Sequence, residues 1–234
     1  DGGTLESESC IRDDVKYLIQ NPEPVAFTGL LNDYSGAAAA YSLRLLDNTY
    51  TGDAIVVRRS SDNTTQSIGF VNNELDTTSL ESFCSGTDGF VTTWYDQSGN
   101  ANNATQATAS KQPKIVSLGS TITYLSKPSI LYNGTSQYIQ NSLPTYSSSE
   151  QYYIVGEGFT DSGRGAQAIR GGNLWRDGSA FRFLNGGNMY FTTGSPANNL
   201  LVVQLNASDA DLYLNNIAAT ESGSFSPTYN TTSL

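Results

Sequence analysis

Histidine is absent from the 234 residues. That absence removes Ser-His-Asp and Cys-His nucleophile–base arrangements, and zinc held by His/Cys spacing. Charge is scarce at 15%, and acidic residues outnumber basic ones 22 to 12, for a net charge of -10. So negative a chain repels a phosphate backbone, and no nucleic-acid partner is expected. No apolar run approaches the roughly 18 residues that cross a bilayer, so no membrane partner is expected either. Cysteine is limited to Cys10 and Cys84. They pair in an oxidising compartment or stay as thiols, and the count leaves both open. No phosphate-binding loop or dinucleotide fingerprint occurs; the glycines of GRGAQAIRGGN, 163–173, follow neither spacing.

Gly, Ser, Thr and Asn fill the space that charge leaves, which reads as many strands joined by many turns. The length suits one large β-domain. Residues 1–30 are polar, with two prolines in NPEPV, and read as a lead-in or linker. Residues 31–234 show no composition break and read as one domain. Helix is predicted at 34–47, YSGAAAAYSLRLLD, with Ser35 as N-cap, and at 75–84, LDTTSLESFC, with Asp76 ahead of Leu80 and Phe83. Strands are predicted at 54–60 and 65–70 around the turn SDNT, and at 89–95, GFVTTWY. KPSILYNGTSQYIQ, 127–140, carries Asn133-Gly134, a hairpin signal. Further strands follow at 151–159, at 179–185 and 188–194 around Gly186-Gly187, and at 199–206 and 210–216. The expected fold is an all-β, two-sheet antiparallel sandwich with Val91, Ile130, Ile154, Val202 and Leu212 buried. Its last strands are expected to be missing after SGSFSPTYNTTSL, leaving an edge for another subunit.

Two stretches carry a resemblance. The first is SLRLLDNTYTGDAIVVRRSSDNTTQSIGF followed by ESFCSGTDGFVTTWYDQSGNANNATQA, with Arg59, Ser61, Asp62, Phe83-Cys84, Tyr95-Asp96-Gln97-Ser98-Gly99, Asn103 and Thr105-Gln106. It resembles the start of the catalytic domain of fungal α-L-arabinofuranosidase B. The second, PSILYNGTSQYI, YYIVGEG and LLVVQLNASDADLYLNNIAA, resembles laminin-G-like and concanavalin-A-like lectin modules. Both imply a concanavalin-A-like jelly-roll sandwich. Similar combinations occur in phage structural proteins. The resemblance also implies a nucleophilic Glu on the strand before the last hairpin and an acid/base Asp after it. Here no carboxylate lies between Asp177 and Asp209, and only Glu221 follows nearby. The family's second Cys, five residues after Phe-Cys, is replaced by Gly89, and its adjacent Cys-Cys pair has no counterpart in 160–175.

The missing groups lead to an expected function: a non-catalytic extracellular or virion-surface module of phage fibre, tail or capsid-decoration type. Cell-surface glycans are its candidate ligands, other subunits its partners, and an oligomer its expected state. No hydrolysis of arabinofuranosides is expected on this reading. The alternative is an arabinofuranosidase-type glycoside hydrolase with relocated carboxylates, two of Asp62, Asp96, Glu157, Asp161 and Asp177 converging on one cleft. The candidate ligand residues are Trp175, Arg176 and Asn173 in a loop at 173–179, Asn185, and Tyr95 with Asp96. An Asn at 185 can hydrogen-bond a sugar but cannot form a glycosyl ester. For TTWYDQSGNANNATQ, 92–106, a sugar platform competes with a scaffold turn in which Asp96, Ser98 and Asn100 bond nearby backbone and Gly99 takes a positive φ. No cofactor is expected beyond Ca2+, with candidate oxygen clusters at 60–63, 95–100 and 208–211; none matches a twelve-residue calcium loop, and turn chemistry explains them better.

Overall fold

The structure is a computed structural model. It describes residues 27–141 throughout and, between 150 and 223, the strand segments. Every strand pairing among them is antiparallel.

The central sheet is six-stranded. β1 (Ile55–Arg59) lies between β2 (Thr65–Ile68) and β5 (Gly89–Trp94). Beyond β5 come β7 (Lys114–Ser117) and β8 (Ser120–Thr121), while β6 (Ala104–Thr105) pairs with the far end of β5. The β1–β2 hairpin expected from AIVVRRS and TQSIGF is present, with Ile55 opposite Ile68 and Arg58 opposite Thr65. Alternation decides what β1 buries: Ile55 and Val57 are inaccessible, while Val56 between them and Arg58 beyond are half-buried. Ile68, Val91, Ile115 and Val116 join them, and Leu75, Leu80 and Cys84 close the cluster from outside the sheet. Gly89 is needed here. A Cβ at that position would stand 2.7 Å from Cys84 Sγ and 3.0 Å from Val116 Cβ.

Short hairpin β3 (Phe70–Val71) and β4 (Glu74–Leu75) leads into helix α2 (Thr77–Phe83); helix α1 (Leu30–Asp33) lies earlier in the chain. Asp76 caps α2 by accepting from the Ser79 amide at 3.0 Å and the Ser79 hydroxyl at 2.6 Å. Leu80 is fully buried beneath the sheet and Phe83 half-buried, as their shared face predicts. Among the described residues, three two-residue turns have positive φ at both central residues, the type I′ pattern. They are Asn72-Asn73 between β3 and β4, Leu118-Gly119 between β7 and β8, and Leu125-Ser126 between β9 (Thr123–Tyr124) and β10 (Lys127–Pro128).

The later strands form two further sheets. One has the order β11 (Glu150–Gly156), β16 (Asn199–Leu205), β17 (Ala210–Leu214), β18 (Ile217–Ala218). The other runs β12 (Gln167–Ile169), β13 (Gly172–Asp177), β14 (Ala180–Leu184), β15 (Asn188–Thr192), β19 (Thr220–Gly223). The expected pairs at 179–194 and 199–216 are thus present as β14–β15 and β16–β17.

Three expectations are corrected. Residues 34–47 form no helix; α1 stops at Asp33, and the alanine run continues as an irregular strap. Its amides and carbonyls bond to distant side chains, which outweighs the helix propensity of four alanines. Asn133-Gly134 does not turn a hairpin. Leu131 and Gln140 pair instead with Lys114 and Thr105, and the Asn133 side chain accepts from the amides of Thr135, Ser136 and Gln137. Residues 172–177 lie in strand β13 rather than in a loop. Val91 is buried as expected and Ile130 half-buried against the core. The side chains of Ile154, Val202 and Leu212, and all of 1–26, lie outside the described residues.

Candidate functional site

The end of β5 runs into the turn that began as a candidate sugar platform. Asp96 is 4% exposed. Its Oδ1 accepts from the amides of Ala40 and Ser98, both at 2.8 Å. Its Oδ2 accepts from the Ser98 hydroxyl at 2.8 Å and the Asn102 amide at 3.0 Å. Four donors fill the carboxylate's four lone-pair sites, so no acceptor capacity remains for a sugar hydroxyl or a cation. Gln97 is buried beside it. Its Oε1 accepts from the Leu46 amide at 2.8 Å, and its Nε2 donates to the carbonyls of Ser42 and Arg44, both at 3.1 Å. Asn100 Nδ2 donates to Ala37 O at 2.9 Å and Asn102 Nδ2 to Ala38 O at 2.8 Å. Gly99 has φ 87, as the turn reading required.

YDQSGNAN is therefore a clamp. It holds the strap at 37–46 by satisfying the strap's backbone with side chains, in place of a helix or a ladder. The local bonds expected of Asp96 and Ser98 are present. The long-range ones from Gln97, Asn100 and Asn102 carry no sequence signal beyond the density of Asn and Gln.

Trp94 packs against the core, and its ring centroid lies 5.9 Å from that of Tyr41, tilted by 50°. Its buried indole N–H has no partner among the described residues. The Tyr41 hydroxyl donates to Asn102 O and accepts from Asn141 Nδ2, and burial pushes its pKa above the ordinary phenol value. Tyr95 is half-buried and bonded through its amide to Ala54 O. Trp94 and Tyr95 do not form a paired stacking surface.

Asp62 is held differently. Arg59 grips it side-on, Nε to Oδ1 at 2.9 Å and Nη2 to Oδ2 at 2.6 Å. The guanidinium carbon lies 4.9 Å over the Phe83 ring, and Nη1 donates to Phe83 O. The Arg59 contact, with the Thr64 amide and hydroxyl, holds the Asp62 carboxyl well below the usual carboxylate range. A carboxyl held ionised this firmly is no general acid near neutral pH. Asp62 and Asp96, two of the five carboxylates considered for a relocated pair, are thus structural.

The other predicted site residues fall in the later sheets. Asn173, Trp175 and Arg176 lie on β13, opposite Leu184, Arg182 and Phe181 of β14. Asp177 ends that strand opposite Ala180. Asn185, Glu157 and Asp161 lie outside the described residues. The structure therefore separates Tyr95 and Asp96, which belong to the clamp, from Asn173, Trp175 and Arg176, which share one strand of another sheet.

The clamp, the Arg59–Asp62 fork stacked on Phe83, and buried Cys84 join the resemblance-bearing residues into one structure. A family model described as the catalytic domain of α-L-arabinofuranosidase B matches residues 33–203. The chain belongs to this arabinofuranosidase B catalytic-domain family. An α-L-arabinofuranosidase B from Emericella nidulans is 29% identical over 164 residues, covering 68% of this chain and 31% of the relative. A GH54 α-L-arabinofuranosidase soaked with a cyclic sulfate inhibitor matches with a TM-score of 0.56 at 17% identity, over 84% of this chain and 53% of that one. An arabinofuranosidase complexed with arabinofuranosyl-α-1,2-xylobiose matches with a TM-score of 0.51 at 18% identity, over 79% and 51%. The chain thus spans about half the length of these solved relatives and under a third of the curated one. The likeness places the fold in the all-β sandwich class that the strand pattern predicted.

Family membership overturns the expected virion-surface module of phage fibre, tail or capsid-decoration type. That expectation let one carboxylate-free stretch, 178–208, outweigh the residues shared across 42–107. The matched region reaches from the strap through the clamp to β16. It supports the glycoside-hydrolase alternative.

Proposed function

We propose that the chain forms the sandwich of an extracellular glycoside hydrolase acting on α-L-arabinofuranosides. One observation carries this reading: the catalytic-domain family match over 33–203, which includes the clamp and the Arg59–Asp62 fork. Hydrolysis needs two carboxyl groups, roughly 5–5.5 Å apart for retention or 6.5–9.5 Å for inversion. Asp62 and Asp96 are taken up by structure, so the pair must come from the later carboxylates. Asp177 on β13 and Glu221 on β19 stand three strands apart, about 14 Å between backbones at ordinary strand spacing. That is too wide for a retaining pair, even with both side chains extended. Glu157, Asp161 and Asp177, or one of these with Glu221, are the remaining candidates, one as acid/base and one as nucleophile or water-activating base.

The assay is release of 4-nitrophenol from 4-nitrophenyl α-L-arabinofuranoside by the purified chain. Turnover is expected, with Glu157→Gln, Asp161→Asn, Asp177→Asn and Glu221→Gln made singly. The two that carry the chemistry should each lower kcat by about a thousandfold. No release above buffer by the wild type from about pH 4 to 8 rejects the proposal. So does a wild-type rate that no single substitution lowers.

A further inference from the structure

On the outward side of β1 and β5 lies an open groove of about 360 Å³, lined by Arg58, Thr65, Thr92, Thr93, Thr105, Gln106, Ala107 and Gln112. None of these is a carboxylate, so the groove is not a hydrolytic centre. Its geometry is built around Arg58. The guanidinium carbon lies 5.0 Å over the Phe90 ring. Nε donates to Gln112 Oε1 at 2.7 Å and Nη1 to Asn63 Oδ1 at 2.8 Å. Gln112 is 3% exposed and donates through Nε2 to Gln106 O at 2.8 Å. Gln106, 6% exposed, donates in turn to Tyr138 O and accepts from the Thr108 amide. A chain of neutral amides thus fixes the guanidinium plane before any ligand arrives. Nη2 and the second hydrogen of Nη1 are left uncommitted among the described residues.

Two details point to a ligand. In a chain of net charge -10, the Arg59, Lys114 and Lys127 cations each hold a carboxylate within 2.8 Å. Among the described residues Arg58 holds none, which is also true of Arg44 and Lys111; what sets Arg58 apart is a guanidinium fixed by Gln112 and Asn63 at the groove. An oriented, unneutralised guanidinium end matches a carboxylate bidentately. The second detail is a β-bulge. Val57 pairs with Val91 and Val56 with Thr93, so Thr92 is the extra residue, and it lies in the groove lining. Bulges re-aim a side chain out of the pleat; here the Thr92 hydroxyl donates to Val56 O at 3.2 Å, so only its lone pairs are left for a ligand. Exposed Thr65 and Thr105 add hydroxyls along the rim. These groups offer hydrogen bonds beside a mostly apolar lining, which suits the C–H face of a sugar ring. The net negative charge works against polyanions.

We infer that this groove binds a uronic-acid unit of a saccharide, its carboxylate on the Arg58 end and its ring hydroxyls on the threonine rim. The inference rests on the groove alone, so hydrolysis of arabinofuranosides can fail while uronide binding persists, and the reverse. The test is a titration of the 15N-labelled chain, followed by NMR, with methyl β-D-glucuronide and its neutral partner methyl β-D-glucoside. Saturable shifts are expected at Arg58 Nε and the Thr92 and Thr105 amides, with the uronide bound at least about tenfold more tightly than the glucoside. Arg58→Gln should weaken the uronide about tenfold, and Arg58→Lys should fall between. If Arg58→Gln does not fold, Thr105→Val removes a rim hydroxyl while leaving Arg58 in place, and should weaken the uronide several-fold. Equal binding of uronide and glucoside overturns the inference, as does acetate binding as well as the uronide. Absence of any saturable shift at Arg58, or Arg58→Gln or Thr105→Val binding like wild type, overturns it too.

Discussion

Asp62 and Asp96 are both acidic turn residues in the segment that carries the family resemblance, yet the molecule holds them in opposite ways. Asp62 sits at the surface with one cation, and its side chain is 42% exposed. Asp96 sits inside with no cation and four neutral donors. Water shares the work of solvating Asp62. For Asp96 the protein replaces water completely, so each of its donors is also a backbone or hydroxyl group that would otherwise be orphaned. The same residue type thus serves a surface ion pair in one turn and a buried backbone clamp in the other.

Asp96→Ala should break this comparison most clearly. It leaves the Ala40 and Asn102 amides without their acceptor and frees the strap, at a cost of roughly 3 kcal/mol or more in urea unfolding. A loss below about 1 kcal/mol would mean that water or Asn103 takes over the role. Gly89→Ala probes the interior without touching polar groups. The new methyl meets Cys84 Sγ at 2.7 Å, and overpacking of this kind costs about 1–3 kcal/mol. Unchanged stability would show that the Cys84 side chain swings clear. Asp62→Ala should move the thermal midpoint little, because Arg59 keeps its contacts with Phe83 and an exposed pair contributes little. A drop comparable to that of Asp96→Ala would erase the distinction.

Acid gives the smallest effect. Asp62, Asp76 and Asp88 are held below their ordinary value of 3.8, chiefly by Arg59, the Ser79 hydroxyl and Lys114 respectively. Their folded values lie below the unfolded ones. The stability they add is therefore present above about pH 4 and is lost as pH falls through the folded values. Thermal midpoints should be flat from about pH 7 to 5 and decline below about 4, modestly because Asp62 is exposed and Asp76 and Asp88 are only half-buried. A midpoint that rises below pH 4 contradicts the assignment.

What the sequence made legible follows from where its signals are local. The hairpin around SDNT and the helix behind Asp76 rest on alternation and a cap, and both formed within two residues of expectation. The strap at 34–47 was misread because helix propensity is local while its partners, Asp96 and Gln97, lie more than fifty residues away. Turns at Leu118-Gly119 and Leu125-Ser126 were invisible for a different reason. Leucine disfavours positive φ, and here strand register imposes it. Asn72-Asn73 went unread although asparagine tolerates that region. At the candidate site, Asp96 and Ser98 were legible as turn chemistry. Arg58 was not, because its role depends on Gln112 and a bulge that leave no trace in spacing.

The clamp also sets an order of events. Its bonds join positions separated by 51 to 64 residues, and closing so long a loop costs entropy that only an existing β1–β5 pair can reduce. The strap is therefore expected to dock after the sheet nucleus forms, on the native side of the folding barrier. Asp96→Ala should accelerate unfolding and leave the refolding rate nearly untouched. In stopped-flow measurements that signature is a displaced unfolding arm with a superimposable refolding arm, and a slowed refolding arm would place the clamp within the nucleus instead.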